Sequence, residues 1–130
     1  MTDVQQASFE ELDARTAYLL WQLRAQVFVV EQRCPYLDLD GRDLEPATRH
    51  LWVAEAGTPV GYLRVLRDQE GAARIGRVVV AGSHRGRGVA ERLMTAALEV
   101  VGDGPCVLDA QSYLAGWYAR LGFAQTGEEF

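Results

Sequence analysis

The chain has 130 residues, 48% of them hydrophobic, and a formal net charge of −5. That length supports one hydrophobic core and not two domains. The acidic balance argues against nucleic acid as a partner, and no apolar run approaches the roughly 20 residues needed to cross a bilayer. The N-terminus is polar and acidic, unlike a signal or transit peptide. A cytoplasmic protein is therefore expected, with its two cysteines, Cys34 and Cys106, reduced.

Taken in chain order, Val4 to Ala7 reads as a short first strand. Ser8 has the character of a helix N-cap, with Glu10 and Glu11 placed favourably in the first turn. Leu12, Leu19, Leu20, Leu23, Val27 and Val30 recur at helical spacing, which predicts a long helix to about Glu31. Cys34-Pro35 stops it, and an acidic loop follows with Asp38, Asp40, Asp43 and Glu45. His50 to Glu55 and Gly61 to Leu66 read as hairpin strands around a Gly57-Thr58-Pro59 turn, and Arg74 to Val80 as a third strand. An Arg/Gly-rich turn, Arg85 to Ala90, then opens into an amphipathic helix with Val89, Leu93, Met94, Ala97, Leu98 and Val101 on its apolar face. After a break at Gly102-Asp103-Gly104-Pro105, Cys106 to Ala110 reads as a buried strand. Tyr113, Leu114, Trp117, Tyr118 and Leu121 stripe a short last helix that Gly122 ends. The order is mixed α/β: a hairpin meander, a β-α-β crossover, then a helix.

The turn after Val80 carries the strongest chemical signal. A strand, a glycine turn and a helix start aim backbone N–H groups and the helix dipole at one point, which suits an anion and most often a phosphate. Arg85 and Arg87 add positive charge beside Gly86 and Gly88. A dinucleotide fingerprint would need a small residue where the chain has Glu91, and a P-loop would need a lysine, of which the chain has none. What remains, Arg85-x-x-Gly88-x-Ala90, resembles the pyrophosphate loop of the GCN5-related N-acetyltransferases (GNAT). Ala115-Gly-Trp-Tyr-Ala-Arg-Leu-Gly-Phe123 resembles the last motif of the same superfamily. Leu23-Arg-Ala-Gln-Val-Phe-Val-Val-Glu-Gln32, Cys34-Pro-Tyr36, Asp40-Gly-x-Asp43, Gly76-Arg-Val-Val-Val80 and Asp109-Ala-Gln-Ser-Tyr113 are similar to its ElaA-type branch. Together these motifs cover nearly the whole chain.

The resemblance implies a single GNAT domain over residues 1–130, with a mixed, mostly antiparallel central sheet and helices on both faces. Members of that branch usually continue past a Gly-Glu-Glu-Phe end with another strand segment, so the expectation is that the sheet lacks its usual C-terminal strand, that a partner supplies it, or that the sequence is cut short of it. An edge left open in this way favours a homodimer. It implies acetyl-CoA as cosubstrate, lying where the third and fourth main strands splay apart, and no metal. The backbone of Val78, Val79 and Val80 would pair with the pantetheine amides, and the stretch Gly86, Arg87, Gly88, Val89, Ala90 and Glu91, with Arg85 at its rim, would hold the pyrophosphate. Gln111 matches the polar side chain that helps bind the cofactor. A neutral amine would attack the thioester carbonyl directly, a backbone N–H near Val79 or Val80 would stabilise the oxyanion, and Tyr118 would protonate the departing thiolate.

On residue pattern alone, Tyr118 is equally a core tyrosine on an apolar stripe, and Arg77 an exposed strand residue. Val78 to Val80 read as core valines. The acceptor, a small-molecule or peptide amine, must lose a proton before attack, and Glu31 is the first choice of base, His50 the second. Asp40 and Asp43 are further acids in the same region, and each carboxylate is equally a solvated loop charge. The acidic loop, with Trp21 and Tyr36 nearby, would suit a cationic amine. A non-catalytic acetyl-CoA sensor remains the alternative to an enzyme. Scattered His and Cys without ligand spacing, and the lack of a Gly-x-Ser-x-Gly elbow, disfavour a metalloprotein or hydrolase.

Overall fold

The central strands carry apolar side chains on both faces, a pattern that requires cover on both sides of a sheet. The computed structural model describes residues 3–33, 38–68 and 71–108. Strands β1 (Gln5–Ala7), β2 (Arg49–Glu55), β3 (Thr58–Arg67), β4 (Ala73–Val80) and β5 (Cys106–Leu108) lie in the order β1-β2-β3-β4-β5. The first four are mutually antiparallel, and β5 joins β4 in parallel after the crossover through helix α2 (Val89–Val101). Helix α1 (Ala14–Arg24) covers the opposite face. Leu51, Val53, Leu63, Val65 and Ile75 pack with Leu93, Met94 and Ala97 of α2. Trp52, Ala54, Tyr62 and Val79 pack with Leu20, Leu23 and Val27. The expected mostly antiparallel sheet, with a helix on each face, is the fold found.

Local boundaries differ from the periodicity where side chains intervene. Ser8 opens only a short 3-10 turn, Phe9–Glu11, in which the Ser8 N–H donates to Glu11 Oε1 at 2.9 Å. Asp13 caps α1 instead, its carboxylate accepting from the Thr16 N–H at 2.7 Å. Past Arg24 the helix widens into π-helical turns over Ala25–Glu31, so the predicted end near Glu31 holds although the winding changes. The β2–β3 hairpin turns at Ala56 and Gly57, both at positive φ (51° and 82°), not at residues 57–59. Pro59 already lies in β3, opposite Ala54 beside a register shift, where a missing N–H is tolerated.

Close packing sets the height of α2 above the sheet. At Gly61, in β3, a Cβ would collide with Val89 Cγ1 and lie 3.1 Å from Leu93 Cδ1, so only glycine lets the first turn of α2 settle on the strand. Gly102, at φ 74°, ends that helix.

Candidate active site

Val80 ends β4, Gly82–His84 forms a 3-10 turn, and Gly86 and Gly88 both take left-handed backbone, at φ 81° and 77°. L-residues adopt that conformation at a cost of about 1–2 kcal/mol, which is why glycines recur here. Gly88 is the N-cap of α2, and no side chain caps that helix start. The first-turn N–H groups therefore face an open cleft of about 270 Å³, lined by Val80, by His84, Arg85 and Gly86, and by residues 88–91. A Cβ at either Gly86 or Gly88 would meet nothing within 4 Å, so the surface is bare backbone. Glycine turn, uncapped helix N-terminus and adjacent Arg85 fit a diphosphate. Arg87 does not line this cleft. It borders a neighbouring open groove along α2, with Arg92 and Thr95.

Upstream of the loop, β4 carries a bulge. Tyr62 pairs with Val79 and Arg64 with Gly76, so Arg77 and Val78 together oppose the single residue Leu63. The extra residue inverts the phase of the strand: Ile75 faces the α2 side, while Val79 packs on the α1 side. Of the three predicted core valines only Val79 is buried; Val78 and Val80 are half-buried and lean on the α2-side core. Among the described residues, β4 pairs with β5 from Ala73 to Ile75. Arg77 sits in the bulge at φ 54°, a strained conformation for a non-glycine residue, and it is not a free strand residue. Its Nε donates to Asp38 Oδ1 at 2.8 Å and its Nη2 to the Asp38 main-chain oxygen at 3.1 Å.

The acidic loop after α1 is correspondingly not a set of solvated charges. Asp38 Oδ2 accepts from Arg24 Nε at 2.9 Å, and Asp43 Oδ1 from Arg24 Nη1 at 2.7 Å and Arg64 Nη1 at 3.0 Å. Asp40 accepts from Arg64 Nη2 at 2.6 Å and lies 3.5 Å from Arg77 Nη2. Asp38, Asp40 and Asp43 thus alternate with Arg24, Arg64 and Arg77, and their charges balance. The Arg64 hydrogen bond, outweighing partial burial, holds the Asp40 carboxyl well below the usual carboxylate range. This pairing corrects the expectation that the loop presents free negative charge to a cationic amine. Arg24 and Arg64 were missed as structural residues. The signal was present: each replaces an apolar residue on an inward stripe, Arg24 beside Leu20, Leu23 and Val27, and Arg64 between Tyr62 and Leu66.

His50 has no exposed surface. Its Nε2 lies 3.0 Å from the Asp43 carbonyl oxygen, which can only accept, so Nε2 carries the proton and Nδ1 accepts from the Tyr62 hydroxyl at 2.6 Å. Burial pushes its pKa below the ordinary histidine value. With both nitrogens engaged and Trp21 packed edge-on at 5.5 Å, His50 offers no lone pair to a substrate and braces the core instead. Glu31, at the end of the π-helical turns, is brought to the phosphate-type loop: its Oε1 lies 2.8 Å from Arg85 Nη1, while Arg85 Nε donates to the Val80 carbonyl at 3.1 Å. Two residues singled out separately are therefore partners. Tyr118, Gln111, Cys34 and Tyr36 lie outside the described residues. Among the described residues no cluster of His, Cys, Asp or Glu could hold a metal ion, and no helix is long and apolar enough to cross a membrane.

A mixed sheet of this order, with a bulged fourth strand running into a glycine-turned helix start, is the acyl-CoA N-acyltransferase fold. The chain belongs to the acetyltransferase (GNAT) domain family, whose model matches residues 24–130, and within it the chain is ElaA-like. ElaA of Escherichia coli is 38% identical over 136 residues, covering 100% of this chain and 89% of that protein; its crystal structure superimposes with a TM-score of 0.92 over 98% of this chain and 90% of that one. A protein of Mycobacterium tuberculosis is 48% identical over 128 residues, 93% of this chain and 80% of its own length. The crystal structure of an acyl-CoA N-acyltransferase from Pseudomonas aeruginosa matches with a TM-score of 0.90 at 41% identity, over 97% of this chain and 90% of that chain. Family membership supports an acyltransferase.

Proposed function

We propose that this protein moves an acetyl group from acetyl-CoA to a primary amine of a small molecule or peptide by direct attack. The observation that carries the reading is the uncapped start of α2 at Gly88, set beside the bulged end of β4. In this reading the N–H groups of Gly86 and of residues 88–91 and the Arg85 guanidinium hold the diphosphate, and the backbone of Val78 to Val80 aligns the pantetheine arm. The amine nitrogen bonds to the thioester carbon, and an N–H near Val79 or Val80 receives the developing oxyanion. As the C–S bond breaks, the thiolate takes a proton from the Tyr118 hydroxyl, and Gln111 helps seat the cofactor. The proton lost by the amine passes to Glu31, directly or through water, once the cofactor phosphates compete with Glu31 for Arg85. His50 supports the acceptor wall and takes no proton.

Calorimetry with coenzyme A, followed by thiol-release assays with acetyl-CoA and a panel of amines, tests this. Binding followed by amine-dependent thiol release is expected, and Tyr118→Phe should lower kcat by about 100- to 10,000-fold with little change in coenzyme A affinity. Thioester loss without any amine would indicate a hydrolase, and binding without turnover a sensor. No heat on adding coenzyme A to folded protein would remove the reading altogether.

A further inference from the structure

Arg77 and Asp38 meet at the junction of two parts of the site that the sequence keeps 39 positions apart. Arg77 lies in the β4 bulge, immediately before the backbone assigned to the thioester; Asp38 opens the described part of the loop that follows α1. Their contact is more than one ion pair. The Asp38 carboxylate bridges Arg77 Nε at 2.8 Å and Arg24 Nε at 2.9 Å, and its main-chain oxygen accepts from Nη2 of both arginines, at 3.1 and 3.0 Å. Arg24 is fully buried and Asp38 nearly so, which anchors the bridge in the core. Arg77 holds φ 54°, a backbone that glycine would adopt without strain and that arginine adopts only when its surroundings hold it there. Those surroundings are the loop that follows α1.

We infer that Arg77 is a positioning residue: its clamp on Asp38 locks the β4 bulge and the 38–45 loop to each other, so that the acyl group and the incoming amine are placed together. The inference deepens the acetyl-transfer reading and rests on it. Neither side chain touches the reacting atoms. Their contribution is geometric, because a misplacement of about 1 Å between nucleophile and carbonyl can cost up to about 100-fold in rate.

Arg77→Gly is the informative variant, since glycine keeps the bulge conformation and removes the clamp together with the longer Arg77–Asp40 pair; Asp38→Asn weakens the same clamp from the other side, along with the Asp38–Arg24 pair. Coenzyme A affinity should stay within about twofold in both, because the diphosphate loop is untouched, while kcat/KM for the amine falls by about 10- to 100-fold. The double variant should be no worse than the more damaged single one, as expected for two halves of one device. In the free protein, amides of residues 38–45 should exchange at least about 10-fold faster in Arg77→Gly. Wild-type values of kcat/KM, fully additive losses, an equal loss of coenzyme A affinity, or unchanged exchange in the loop would each overturn the clamp. Failure of the wild type to bind coenzyme A or to acetylate any amine would instead overturn the acetyl-transfer reading, and the exchange measurement would still decide whether the two segments are locked.

Discussion

Gly61→Ala should damage this protein out of proportion to the single methyl group it adds. The new Cβ collides with Val89 Cγ1 and lies 3.1 Å from Leu93 Cδ1, and both of those side chains are fully buried. Val89 is β-branched and stiff, so it cannot swing aside, and the start of α2 must lift from β3 by about 1 Å to restore ordinary contact. Overpacking of this kind costs about 1–3 kcal/mol. At about 2.1 cal/mol/K per residue, 130 residues unfold with about 270 cal/mol/K, so the melting temperature should fall by about 4–11 °C. Val89 is also the first residue of α2, and its lifted N–H should weaken coenzyme A binding by about fivefold or more. Adding Val89→Ala removes the colliding methyl and should restore at least about 1 kcal/mol relative to additivity. Urea unfolding of the two singles and the double, with coenzyme A titrations on each, reads all of these quantities. A Gly61→Ala protein with wild-type stability, or strict additivity in the double, would refute the packing argument.

The charge network makes a second contrast. Arg24→Met strips a fully buried guanidinium from Asp38 and Asp43 and should cost about 3–5 kcal/mol in urea unfolding, whereas Arg42→Met, whose partners Glu45 and Asp68 are part-exposed, should cost about 1 kcal/mol or less. Equal losses would contradict the burial argument. Gly88→Ala, at φ 77°, should destabilise by about 1–2 kcal/mol and weaken coenzyme A binding by at least about fivefold; unchanged affinity would place the diphosphate elsewhere. His50 should give acid sensitivity. Its folded pKa lies below the ordinary value of 6.5, so the unfolded chain binds the proton first and stability falls as pH drops through that value. The stability difference between wild type and His50→Gln, measured from pH 8 to 5, should therefore shrink on acidification. A constant difference would mean that His50 is not held neutral.

What could be read directly from the chain was whatever depends on neighbours in sequence. Apolar spacing located α2, and short apolar runs bounded by turn residues located the central strands, because burial of one helix face leaves a local period and burial of both strand faces leaves a continuous run. The glycine turn before α2 was legible because left-handed backbone has a residue signature that needs no partner. Motif resemblance supplied the family, and with it the expectation of a coenzyme A site. Tertiary contact alone decided the rest. The acidic loop resembles solvated charge until Arg24, Arg64 and Arg77 are brought against it from three other elements, and His50 resembles a titrating base until Tyr62 and Asp43 occupy both nitrogens. The β4 bulge has no local signature either, since an extra residue in a strand exists only relative to the register of its partner. Periodicity records which side chains leave water; only the assembled fold determines which charges they meet when they do.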